Sequence, residues 1–448
     1  MKPKHRRMSA TRLIVLFFLG TILLGALLLC LPIASRSRAW TPFFHSLFTA
    51  TSATCVTGLT VFDTCTHWSL FGQIVILILI QCGGLGVMTT ITMFSVFAKR
   101  RISLYERKIL MQSEGTMRTG GVIKLLKRIV AGTFLFEGTG ALLLAIRFCS
   151  DVRFGFWRGL FYAVFHAVSS FCNAGFDLMG RINPGGSLTP FAGDLLVNLT
   201  VAALVIIGGV GFFVWDDILE KKLKVKSYTL QSKIVLTFSA ALIVFGWLFF
   251  FLFEQNSSLA GMSTGKQLLV SFFHSVSART AGFFTTDLSK LSVSGNLLMT
   301  ALMFIGGSPG STAGGVKTTT VAVLLMQLIA SSRGNKNPTV FKRSIDDDTV
   351  KRAASIGAIY VLLDLFGTMF IAAVDRFPLQ AVLFETVSAA GTVGLSTGIT
   401  AQFSAASQFV LILLMFIGRI GGLTMMVTFA EKRKNIPLKR PNEKILIG

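Results

Sequence analysis

Four short glycine-bearing segments recur along the chain at nearly even spacing: residues 54–59 (TCVTGL), 171–176 (FCNAGF), 278–283 (ARTAGF) and 391–396 (GTVGLS). Their glycines, Gly58, Gly175, Gly282 and Gly394, lie 117, 107 and 112 residues apart. A phenylalanine stands ten residues before each: Phe48, Phe165, Phe272 and Phe384. Fourfold repetition in an apolar chain is the sequence form of elements assembled around an axis. Backbone carbonyls beside a permissive glycine can replace the water around a small cation.

The chain is apolar enough to need a membrane. Of its 448 residues 52% are hydrophobic and 14% charged, against about 25% charged in soluble domains. The net charge of +23 suggests nucleic acid until the cations are located. Residues 2–12, 99–128, 220–233, 331–352 and 432–444 hold 31 of the 43 lysines and arginines, with almost no interleaved aromatics. That excludes a nucleic-acid surface and matches the positive-inside rule, with both termini and all basic loops cytoplasmic in the cell membrane. Six cysteines and five histidines show no ligand spacing. The basic start and the apolar run 13–33 read as a first membrane helix, too long for a signal peptide.

Each repeat reads as long apolar helix, short apolar segment, glycine turn, second long helix, basic loop. The first helices are expected at 13–33, 129–148, 230–253 and 353–374, the second at 70–98, 195–219, 297–330 and 409–430. Each can cross a core of about 30 Å. The short segments 43–52, 159–169, 266–276 and 379–388 reach only half that depth and read as re-entrant. The expected fold is therefore an all-α membrane protein: four tandem helix–pore loop–helix repeats, eight transmembrane helices around a central, potassium-channel-like pore. The repeats are 1–112, 113–227, 228–345 and 346–430, with a tail at 431–448. No soluble domain fits in the connections.

The filter residues are expected to be Val56, Thr57 and Gly58; Asn173, Ala174 and Gly175; Thr280, Ala281 and Gly282; and Thr392, Val393 and Gly394. Only the last set matches the start of the potassium-channel signature; the others share its glycine. Side-chain support must therefore differ around the ring, implying weaker discrimination against sodium than four identical strands give. Glycine clusters recur in the second helices at Gly83, Gly84 and Gly86, at Gly208, Gly209 and Gly211, at Gly306 and Gly307, and from Gly418 to Gly422. Close helix packing is their plainer explanation.

Residues 306–320 (GGSPGSTAGGVKTTT) cannot form a continuous stable helix, and broken backbone at membrane depth marks a moving or ion-lining segment. The expected gate comprises Gly306, Gly307, Gly310, Gly314, Gly315, Lys317 and the intramembrane Arg419, which needs acceptors such as the loop carbonyls or Asp364. Lys317 snorkelling to the interface is the alternative. Glu137, Asp364 and Glu385 either brace the half-helices or form a proton path. Asp63, Asp177 and Asp287 are placed to concentrate cations at an outer mouth.

With these motifs in view, the whole chain resembles the Trk/Ktr/HKT superfamily of potassium transporters. It is most similar to the bacterial Ktr-type membrane subunits, the KtrB branch, with no extra helix pair ahead of the first repeat. Gly58 stands where plant-type relatives often carry serine, which suits a potassium-preferring pore. The resemblance implies potassium uptake by a homodimer with one pore per protomer, seated on a cytosolic nucleotide-binding regulatory ring. No cofactor is expected on this chain; any adenine nucleotide belongs to the partner, since no phosphate cradle is present. The competing functions are an ion-coupled secondary transporter, which usually shows inverted repeats, and a membrane-embedded enzyme, for which no catalytic constellation appears.

Overall fold

The structure, a computed structural model, describes residues 10–86, 122–222, 224–335 and 337–421. Four helices among these residues are long and apolar enough to cross a membrane: α1 (Ala10–Cys30), α5 (Val122–Phe148), α9 (Leu230–Glu254) and α13 (Asp347–Asp375). Each packs against the shorter helix that follows it: α2 (Phe43–Thr54), α6 (Phe156–Phe171), α10 (Thr264–Ser277) and α14 (Leu379–Ala390). These short helices have 12, 16, 14 and 12 residues, two to five more than the sequence suggests. After the single-turn α3 (Thr64–His67) and the three later connections, the chain enters α4 (Leu70–Gly84), α7 (Leu195–Val210), α11 (Val293–Phe304) and α15 (Ala405–Ile420).

A polar cap starts each of these four helices. Ser69, Asp194, Ser292 and Ser404 accept from the N–H of Gly72, Val197, Gly295 and Ser407 at 3.3, 3.1, 2.9 and 3.4 Å. The caps satisfy donors that the helix itself leaves open. Packing then follows a closed order: α4 meets α6, α7 meets α10, α11 meets α14, and α15 returns to α2.

The second helix of each repeat is shorter than expected. They have 15, 16, 12 and 16 residues, about 18–24 Å of helix, and each stops at or before its glycine cluster. The 195–219 stretch is not one helix: at Gly211 the chain turns, and α8 (Phe212–Lys221) leaves α7 at 92°. Gly211 has φ +101°, and a Cβ there would lie 2.8 Å from the Pro309 carbonyl. Asp217 then ties α8 to the start of α9, accepting from Thr229 N–H (2.8 Å), Ser232 Oγ (2.7 Å) and Lys221 Nζ (2.6 Å). In the third repeat, residues 305–317 are non-helical, and α12 (Thr318–Ser332) resumes beyond them. The expected helical residues 88–98 and 422–430, the tail 431–448, and most of the basic segments 2–12, 99–128 and 432–444 lie outside the described residues.

Candidate functional site

The four glycine turns meet. A Cβ on Gly58 would lie 2.5 Å from the Ala174 carbonyl oxygen, one on Gly175 2.9 Å from that of Ala281, and one on Gly282 2.5 Å from that of Val393. A Cβ on Gly394 would strike the carbonyl of Thr57, which closes the circuit. Each segment thus sits edge to edge with the next, in chain order, through the carbonyl preceding each glycine.

The backbone within each tripeptide alternates in handedness. Val56, Asn173, Thr280 and Thr392 have φ of +58°, +60°, +72° and +51°, and the four glycines +97°, +68°, +78° and +89°; the middle residues do not take positive φ. Such alternation turns successive carbonyls to one side. Val56, Thr280 and Thr392 are β-branched, for which positive φ is a genuine outlier costing about 1–3 kcal/mol each. Surrounding bonds hold them there. Thr57, Ala174, Ala281 and Val393 donate their N–H to Ser52, Ser169, Ser277 and Ser388 carbonyls at 2.8, 2.7, 2.9 and 2.8 Å.

Those serines were not among the sequence candidates, although one stands five or six residues before every glycine. Ser52 and Ser388 use Oγ to accept the glycine N–H, both at 3.1 Å. Ser169 and Ser277 instead donate to the carbonyls of Phe176 and Phe283, the residues after the glycine. Asn173 Nδ2 also reaches Thr280 Oγ1 at 3.2 Å, linking the second and third segments laterally.

A second support comes from one position on three half-helices. His166, His274 and Glu385 each accept the N–H of the residue three past the glycine: Leu178 (3.4 Å), Thr285 (3.2 Å) and Thr397 (2.9 Å). Glu385 further accepts from Ser396 and Thr400 hydroxyls, both at 2.7 Å, so it braces the turn. Glu137 has only Gln81 Nε2 at 3.4 Å and the Cys172 thiol at 3.9 Å, and Asp364 Oδ1 has no hydrogen-bond partner among the described residues. The third half-helix runs one residue short: His274 and Ser277 stand one position nearer their glycine than His166 and Ser169 do to theirs. Consequently Phe273, not Phe272, is fully buried there, whereas Phe48, Phe165 and Phe384 occupy the expected position.

The interrupted loop lies directly against the turns. Thr312 Oγ1 approaches Asn173 Oδ1 at 3.4 Å and donates to the Phe171 carbonyl at 3.2 Å, while a Cβ on Gly314 would strike Thr392. The glycine clusters receive it: Ser308 N–H bonds Gly209 O (3.0 Å), Thr312 N–H bonds Gly208 O (3.3 Å), and Gly315 N–H bonds Gly418 O (3.3 Å). Gly310 O in turn accepts from Phe212 N–H at 2.7 Å. Close packing holds as well, since a Cβ on Gly83, Gly208 or Gly418 would strike a carbonyl at the end of a half-helix. Gly306 and Gly307 pair with Val316 and Thr318 across the loop's neck, at 2.8 and 3.0 Å.

Arg419 donates to the carbonyls of Thr312, Gly83 and Gly84, not to Asp364. Its guanidinium therefore joins the loop to α4 across the molecule. The Lys317 Nζ turns back to the Ala313 carbonyl at 2.6 Å. The acids beyond the turns serve as caps. Asp63 accepts from Cys65, Thr66 and Gly185 N–H, Asp177 from Met179, and Asp287 from Ser289.

Residues 6–436 match the family model TrkH, described as a cation transport protein. The chain is 39% identical to the potassium/sodium uptake protein NtpJ of Enterococcus hirae, over 100% of this chain and 99% of that protein. It is 36% identical to the Ktr system potassium uptake protein B of Bacillus subtilis, over 99% and 98% of the two chains. The crystal structure of the potassium transporter TrkH from Vibrio parahaemolyticus superposes with a TM-score of 0.74 at 17% identity, covering 96% of this chain and 87% of that one. That last likeness is one of fold: a helical membrane protein.

Proposed function

The chain belongs to the TrkH family of cation transport proteins, and from that premise we propose that it is the ion-translocating membrane subunit of a potassium uptake system. Permeation is channel-like, along an axis through four tandem repeats. One observation carries this reading: the closed circuit in which every filter glycine faces the carbonyl of the next segment. Carbonyls turned to one side by alternating φ offer the oxygens that replace a hydration shell. The unequal serine, histidine and glutamate supports predict a less uniform cage than four identical strands build, with sodium as the competing ion.

The loop 306–320 is the gate, held shut by Arg419. It crosses directly beneath the filter, and its bonds go to glycine carbonyls of α7 and α15, which a modest helix shift would break. A homodimer on a cytosolic nucleotide-binding ring is the proposed assembly, with the nucleotide on the partner and no chemistry catalysed on this chain. Of the cations proposed to face an acidic partner, Lys221 is already paired with Asp217 at 2.6 Å, and Arg100 and Arg101 lie outside the described residues.

Liposome flux tests the function. Reconstituted protein should carry potassium down its gradient and saturate with potassium more readily than with sodium. Strict coupling of potassium to a second ion, with no flux in its absence, would favour the secondary transporter instead. Orientation is tested separately by single cysteines at Ser331 and Asp287, which should label from opposite faces, Ser331 from the cytoplasm. Labelling from one face would break the fourfold topology.

A further inference from the structure

An open cavity of about 1100 Å³ lies between the first and second repeats, at the end of the molecule opposite the described basic loops. Four arginines line it: Arg36 and Arg38 from the α1–α2 connection, Arg158 from the start of α6, and Arg181 from just beyond the second glycine turn. No aspartate or glutamate lines it, and none of the four arginines is in an ion pair among the described residues. Arg36 is partly fixed, its Nε donating to the Trp68 carbonyl at 3.4 Å. Four uncompensated guanidinium groups in one concavity form an anion site by elementary electrostatics.

The rim identifies the anion's carrier. Ile33, Leu70 and Trp157 are 61%, 60% and 77% exposed at the mouth of the cavity. Exposed tryptophan and aliphatic groups beside arginines are the composition of a membrane–water interface. A soluble anion would make no use of that apolar collar; acyl chains would. The positions also run against the charge asymmetry of the chain, since cations facing outward are those the positive-inside rule disfavours. A counter-anion supplied by the bilayer removes the conflict. It also neutralises Arg181, whose charge six residues past Gly175 would otherwise repel cations near the mouth.

We propose that this cavity binds the phosphate headgroup of an anionic phospholipid in the outer leaflet, with its acyl chains along the exposed face of Ile33, Leu70 and Trp157. The site is distinct from the filter and gate, and only its assignment to the outer leaflet rests on the proposed topology.

The test is native mass spectrometry of the full-length protein in detergent with mixed dioleoyl-phosphatidylglycerol and dioleoyl-phosphatidylcholine. Wild-type protein should retain phosphatidylglycerol preferentially. Each lost arginine should weaken retention about five-fold, so the Arg158→Gln/Arg181→Gln protein should lose on the order of 25-fold. The Arg158→Lys/Arg181→Lys protein, which keeps the charge, should recover most of it. A Lys224→Gln/Lys226→Gln protein, altered at the opposite end, should behave as wild type. Unchanged retention in the Arg→Gln protein, or loss in the Lys→Gln protein, overturns the assignment. Displacement of the lipid by millimolar inorganic phosphate would also overturn it, marking a pocket for a soluble anion. Monodisperse elution of the Arg→Gln protein on size-exclusion chromatography, with wild-type helical content by circular dichroism, reports folding independently of lipid binding.

Discussion

Gly58→Ser should weaken potassium affinity by on the order of tenfold to a hundredfold and erode discrimination against sodium. An L residue at φ +97° is strained, and its Cβ would press on the Ala174 carbonyl at 2.5 Å. Relief requires moving that oxygen or the whole turn, a cost of roughly 1–3 kcal/mol in the ion-bound geometry. Gly394→Ala should be worse, because its Cβ meets the Thr57 carbonyl and also lies 2.9 Å from Gly58 Cα. Gly185→Ala is the control: it also has positive φ, +69°, but nothing lies within 4 Å of its added Cβ, so strain alone should leave ion preference intact. Potassium and sodium flux in liposomes, titrated separately, reads all three. Wild-type values in both filter variants would remove the ion-binding role from these turns.

Arg419→Ala should raise potassium flux while leaving ion preference nearly unchanged. Its guanidinium bonds one loop carbonyl and two on α4, and it places a fixed positive charge beside the interrupted loop. Removing a barrier contribution of only about 1.4 kcal/mol would speed passage roughly tenfold. Arg419→Lys should fall between, since it keeps the charge but not the planar fork that spans two elements. Deleting residues 310–313 should act in the same direction, because it removes Thr312, the loop's contact with both Arg419 and Asn173. Wild-type flux in both the Arg419→Ala and the loop-deleted protein would reduce the loop to a structural kink. Loss of ion preference along with gating would show that Arg419 supports the filter instead.

The parts legible in the sequence were those that repeat or that break a rule. Four glycines behind short apolar segments repeat, and they come together in the structure. A glycine-proline stretch inside an apolar run breaks helix rules, and the chain is non-helical there. Arg419 violates membrane composition, and it has carbonyl acceptors. Exceptions to a single helical period were harder to read. The break at Gly211 was hidden because 195–219 is apolar nearly throughout, and the acceptor at the turn, Gly310 O for Phe212 N–H, comes from a segment about 100 residues away along the chain. The one-residue offset of the third half-helix was likewise concealed, since Phe272 and Phe273 are adjacent and either satisfies the pattern.

Local sequence determined where apolar helices and short apolar segments would begin, which four turns needed a glycine, and where cations would gather. These follow from apolar length, glycine and proline placement and charge, all of which act over a few residues. Only the tertiary structure decided that His166, His274 and Glu385 occupy equivalent positions, since histidine and glutamate share no pattern until each accepts the same backbone N–H. It alone decided that Ser52 and Ser388 accept where Ser169 and Ser277 donate. The partner of Arg419 was decided in the same way. A buried donor takes whichever acceptor the packing leaves open, and here those were carbonyls freed by the glycine breaks, more than 300 residues away at Gly83 and 107 away at Thr312.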